Sequence, residues 1–87
     1  MWAQINSAGA VAASSGVTTS QSQGTGILDL TFAQDVSKCA VTTGINGAIA
    51  NWDVRTAISG SKVTVTTFLN NGTLPYANLP VSVAVFC

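Results

Sequence analysis

Alternation of apolar and polar residues at every second position runs through most of the chain, and that period predicts strands rather than helices. The clearest stretch is residues 62–69, KVTVTTFL, where Val63, Val65, Thr67 and Leu69 share one parity and Thr64, Thr66 and Phe68 the other. Residues 80–87, PVSVAVFC, repeat the pattern, with Val81, Val83, Val85 and Cys87 on one face and Ser82, Ala84 and Phe86 on the other. Pro80 opens that strand, where a missing N–H does least harm. Residues 27–32 set Leu28, Leu30 and Phe32 against Asp29 and Thr31, and residues 38–43 set Cys39, Val41 and Thr43 against Ala40 and Thr42. In residues 51–59, Trp52, Val54, Thr56 and Ile58 alternate with Asp53, Arg55 and Ala57.

Turn residues punctuate these stretches. Gln23-Gly24-Thr25-Gly26 joins a polar strand at 17–22, VTTSQS, to the strand at 27–32, which is a hairpin signature. The polarity of residues 17–22 suits an edge or a face turned outward. Ser59-Gly60-Ser61 makes a second hairpin of residues 52–69, and Ser7-Ala8-Gly9 a third between residues 2–6 and 10–13. Helix has little support: Asn46-Gly47 breaks the stretch 45–50 as a turn pair does, and residues 33–37 suit a tight connection or one helical turn. Roughly seven to eight short strands with turns about every 8 to 12 residues predict an all-β fold, an antiparallel sandwich or small barrel. No internal repeat or linker divides the chain, so residues 1–87 read as one β-domain, a piece that a longer protein could contain.

Composition changes the picture at one point. The chain is 47% hydrophobic, yet Asp29, Asp35, Asp53, Lys38, Arg55 and Lys62 are its only charged side chains and they cancel. Small soluble domains ordinarily carry a net charge of magnitude roughly 2 to 8 that keeps copies apart. A neutral exterior of Ser, Thr, Asn, Gln, Ala and Val instead suits surfaces covered by other copies or by a larger assembly. A domain of 87 residues also has a thin core, because ordering costs about 1.5 kcal/mol per residue and apolar burial barely offsets that at this size. A disulfide or association between chains is the expected supplement. Cys39 and Cys87 are the only cysteines. If bridged, they close a loop of about 48 residues worth roughly 4 kcal/mol; the alternatives are two buried thiols or a Cys87 link between chains.

Candidate chemistry is sparse. Without His or Glu, acid–base catalysis would fall to three Asp, two Lys, Tyr76 and the cysteines, and no two carboxylates form a recognisable motif; an enzyme is not expected. Asp29 and Asp35 read as solvated edge and loop residues. Neither a metal site nor any other cofactor is expected, since Cys39 and Cys87 lack zinc-ligand spacing. Three cations balanced by three anions make no phosphate-binding patch, so nucleic acid is excluded, and no apolar run approaches the roughly 18 residues of a membrane span. The opening residues also lack the basic and apolar regions of a signal peptide. Asp53 and Arg55 share a strand face, either as a surface pair or as contacts fixing register between subunits. Trp2, Trp52, Tyr76 and Phe68 could form a stacking platform for sugar rings, although aromatics at strand spacing are usually core. Tyr76, in the loop 70–78, is the best single ligand candidate, and Asn71-Gly72-Thr73 in the same loop matches the glycosylation acceptor pattern.

Two stretches carry a resemblance. Residues 24–32, GTGILDLTF, with 35–40, DVSKCA, resemble the GTGxYxVxFxxDVSxCA pattern of small C-terminal β-domains found in bacterial extracellular and phage-associated proteins. The ending LPVSVAVFC is similar to that group's PFxVAVFC, and the opening WAQINSAGAVAASSGV resembles its AxVNxDGTxxxGxGV start. Leu28 departs from the group's aromatic, and Ser7-Ala8-Gly9 from its Asp-Gly. The resemblance implies architecture more than activity. Together with the neutral exterior, it leads to the expectation of a self-associating module, trimeric by analogy with heads on fibrous stalks, extracellular or virion-associated, with structural or adhesive work. The alternative is a monomeric module binding glycan or peptide through Tyr76 and Trp52.

Overall fold

The computed structural model describes residues 1–45, 52–69 and 77–87. Eight strands follow in order: β1 (Trp2–Ile5), β2 (Val11–Ser15), β3 (Val17–Gly24), β4 (Ile27–Phe32), β5 (Ala40–Ile45), β6 (Trp52–Ser59), β7 (Lys62–Leu69) and β8 (Val81–Phe86). They form two antiparallel sheets packed face to face, β2-β1-β8-β5 and β3-β4-β7-β6, so of the two expected architectures the chain adopts the sandwich. Among the described residues no helix occurs, and so none is long and apolar enough to cross a membrane.

The three expected hairpins are β1–β2, β3–β4 and β6–β7. Between them the chain changes sheet four times, and the first change needs only Gly16 between β2 and β3. β8 lies in the middle of its sheet between β1 and β5, which joins the two ends of the chain: Met1 and Val85 exchange hydrogen bonds, Val85 N–H donating to the Met1 carbonyl at 2.8 Å.

The core is the inward parity of the central strands. Ala3, Ile5, Val81, Val83 and Val85 of one sheet meet Leu28, Leu30, Phe32, Val63 and Val65 of the other. Two buried residues stand outside the alternation. Val36, in the connection between β4 and β5, is 0% exposed and plugs the core from a loop; its N–H donates to the Gly60 carbonyl. Around it residues 33–39 make a tight connection without a helical turn, opened by Asp35 Oδ1 accepting the Ser37 N–H at 2.8 Å. Phe68 belongs to the outward parity of β7 yet is 3% exposed.

Cys39 and Cys87 form a disulfide with their Cα atoms 4.4 Å apart. They flank the Ala40–Phe86 pair at the end of the β5–β8 ladder, so the bridge fastens the edge strand β5 to the central β8.

At one end of the sandwich three chain segments meet on Asn78. Its Oδ1 accepts the Gly26 N–H at 2.7 Å and its Nδ2 donates to the Ala8 carbonyl at 3.3 Å. Thr67, the one buried polar side chain among the described residues, donates its hydroxyl to the Ala77 carbonyl. Gly26 has φ +78° and is buried beneath this clasp; a Cβ there would stand 2.6 Å from the Thr67 carbonyl oxygen.

Candidate functional site

Strand alternation turns Ser82, Ala84 and Phe86 of β8 outward while Val81, Val83 and Val85 go into the core. The register then builds two rows across the outer face of this sheet. Trp2, Ala84 and Thr42 form one, and Gln4, Ser82 and Gly44 the other. The middle strand contributes small side chains and β5 contributes a glycine, so the face sinks between the Trp2 side and the Thr42 side. The resulting trough has a volume of about 310 Å³, at the lower end of small-molecule sites. Trp2 stands at its margin with 43% of its surface exposed, and Phe86, on the same face, is 63% exposed. No charged residue lines it.

The outer face of the other sheet is organised differently. Asp29 on β4 accepts from Thr64 Oγ1 at 2.7 Å and from Gln23 Nε2 at 3.1 Å, and pairs with Lys62 Nζ at 3.8 Å. Its carboxylate is occupied in tying β3, β4 and β7 together, not solvated as its sequence position suggested. Asp53 and Arg55 do share the outer face of β6. The Arg55 guanidinium nevertheless lies over the Phe68 ring, 4.9 Å from its centroid, and Asp53 Oδ1 accepts the Val54 N–H. Among the described residues the ion pair is Lys62–Asp29. Arg55 therefore acts as a lid on an outward phenylalanine, worth about 0.5 to 1 kcal/mol at an exposed site.

Of the four aromatics that could have formed a platform, the described residues place Trp2 and Phe68 apart. Trp2 and Phe68 lie on the outer faces of opposite sheets, separated by the core. Trp52 sits on β6 opposite Leu69, in the sheet that does not contain Trp2. Tyr76 and Asn71-Gly72-Thr73 lie outside the described residues, as does the Asn46-Gly47 turn.

Comparison with known proteins adds no relative. No family model, curated protein or solved structure matches the chain.

Four residues that share the trough with Trp2, namely Gln4, Thr42, Gly44 and Ser82, were not singled out by their sequence context. Small residues on the outward parity of residues 80–87 were the available signal. What brings them beside Trp2 is the pairing of the first strand with the last, and no local pattern encodes that.

β2 and β5 end one sheet, β3 and β6 the other. β6 carries Asp53 and Arg55, and β5 follows Lys38 closely. β2 and β3, by contrast, lie in the first 28 residues, which contain no charged side chain and no proline. From Ala12 to Gly24 every residue except Val17 is exposed, so both faces of these neighbouring edges are open.

Proposed function

We propose that the domain is a non-catalytic, self-associating structural or adhesive module, and that copies join through the β2 and β3 edges. One observation carries this reading: β3, eight residues long at the end of its sheet, is uncharged and exposed along both faces. Proteins that stay monomeric blunt such an edge with Lys, Pro or inward charges, because its free N–H and C=O groups template another strand. Register shifts at both ends of β3 leave Thr19, Ser20, Gln21 and Ser22 regularly paired to β4, and this is the segment that strand addition would use.

The neutral exterior supports the same reading, since copies meet without like-charge repulsion. A ring, with β3 of one copy against β2 of the next, is a heterologous contact that closes when the rotation permits; three copies is the number implied by the resemblance. The Cys39–Cys87 bridge suits an oxidising setting such as the cell exterior or a virion surface.

Light-scattering mass across a micromolar concentration series tests the proposal. The expected result is a multiple of the 8.8 kDa chain mass, three for the ring, and collapse to a single chain in Ser20→Lys or Ala13→Lys. A wild-type chain that stays monomeric overturns self-association, and a multimer indifferent to both lysines overturns the role of these edges.

A further inference from the structure

We infer that the trough on the outer face of β1, β8 and β5 is a binding site for a neutral pyranose ring of a glycan. The inference is independent of self-association, because the trough does not include β2 or β3.

Four properties point to this ligand class. The first is charge: Trp2, Gln4, Thr42, Gly44, Ser82 and Ala84 are all neutral, so a phosphate, carboxylate or ammonium entering the trough would lose hydration with nothing to replace it. The second is the pairing of ring and polar groups. Trp2 offers a large half-exposed aromatic face, while the Gln4 amide and the Thr42 hydroxyl are exposed on either side of the floor. A pyranose has one face of C–H bonds to lay against an aromatic ring and a rim of hydroxyls that both donate and accept, matching an amide and a hydroxyl.

The third is shape. Ala84, Ser82 and Gly44 give a floor without projecting bulk, on which a flat ring can settle. The fourth is rigidity: the floor is three hydrogen-bonded strands, with β5 tied to β8 by the Cys39–Cys87 bridge. Binding therefore orders little protein. An extended peptide fits less well, since it would seek a free strand edge, and the trough lies on a face crossed by already paired strands.

An open site holding one ring gives affinity of about millimolar Kd, so the experiment is a titration by NMR. The ¹⁵N-labelled protein is titrated with methyl hexopyranosides and N-acetylglucosamine, and with N-acetylneuraminic acid as the charged control. The expected result is saturable shifts of the Trp2 indole N–H and of the Gln4, Gly44 and Ala84 amides with at least one neutral sugar. Trp2→Ala should raise Kd roughly tenfold or more. Gly44→Tyr should abolish binding by filling the trough while Trp2 stays in place; a Cβ at Gly44 meets nothing within 4 Å, and tyrosine favours strands. Arg55→Ala, on the opposite sheet, should leave Kd unchanged. The inference is overturned if no neutral sugar shifts these signals, if only the acidic sugar does, or if binding survives Gly44→Tyr. A change of oligomeric mass in Trp2→Ala with no sugar response would assign the face to another copy instead.

Discussion

Opening the Cys39–Cys87 bridge should remove a large part of the stability of this domain. The loop it closes spans 48 residues of sequence separation, and the chain-entropy relation puts its restraint on the unfolded chain at about 4 kcal/mol. A domain of this length ordinarily holds about 4 to 13 kcal/mol in total. Reduction therefore takes between a third and all of it, and at roughly 4 to 8 °C per kcal/mol the melting temperature should fall by about 15 to 30 °C. Reduced wild-type protein is the cleaner perturbation, because Cys39 also packs against the core and its replacement would add a packing loss. Guanidinium unfolding of oxidised and reduced protein, followed by circular dichroism, gives the difference directly. Amide exchange adds a local signature: β5, held in its sheet by β8 and fastened to it by the bridge, should show the largest increase in exchange on reduction. A difference below about 1 kcal/mol would refute the loop-entropy argument, and uniform exchange across β5 and β8 would refute the view that the bridge fastens an edge.

The clasp around Asn78 and the loop at Asp35 make two further predictions. Gly60, at φ +60° with open space around its Cβ position, should cost about 1 kcal/mol when changed to Ala, the ordinary penalty of the left-handed region. Gly26→Ala should exceed that by about 2 kcal/mol or more, because its Cβ meets the backbone of Thr67 and Ala77 and displaces the hydrogen bonds to Thr67 and Asn78; equal losses in denaturant unfolding would refute the clasp. Hydrogen bonds from the Ser37 backbone N–H and then its side chain hold the Asp35 carboxyl below its ordinary 3.8. A lowered folded pKa favours the folded state above the unfolded value and loses that contribution as pH falls through the folded one. An NMR titration should therefore place the Asp35 midpoint below 3.8, with Ser37→Ala raising it part-way and Asp35→Asn flattening the acid limb of the stability curve.

How far the sequence predicts this molecule depends on the range of the interaction concerned. The hairpins were legible because each is closed by neighbours: Gly24 to Gly26 for β3–β4, Gly60 for β6–β7, Gly9 for β1–β2. The parity of residues 62–69 and 80–87 put the valines of each strand on one face, and that face is the buried one. Alternation failed at Phe68, which is buried on the outward parity with Arg55 of the adjacent strand over its ring, and at Val36, which plugs the core from a loop with no period at all. Asp29 was misjudged for the same reason, since its partners Gln23 and Thr64 come from flanking strands. The cysteines left three arrangements open until β5 and β8 were seen to be neighbours, and Trp2 acquired a setting only through β8, some eighty residues away. The contacts of Asp29 with Thr64 and of Trp2 with Ala84 join strands that are not consecutive in the chain, and no local signal records that order.

Taken together, the two proposals reinforce each other physically. A shallow neutral trough recognises one ring weakly, because it lacks charge and depth, and a single copy would hold a glycan only briefly. Copies joined through β2 and β3 would present several troughs on one body, and a second contact made by an already tethered ligand is governed by effective concentration rather than bulk concentration, raising avidity by roughly 10² to 10⁴ without any new contact. On both proposals the absence of charged side chains from residues 1–28 would act together: it would leave the edges free to pair, and Trp2 and Gln4 bring no charge to the trough. Introducing Lys at Ser20 should accordingly lower retention on a densely sugar-coated surface far more than it lowers affinity for the free monosaccharide, and equal losses in the two assays would separate association from binding.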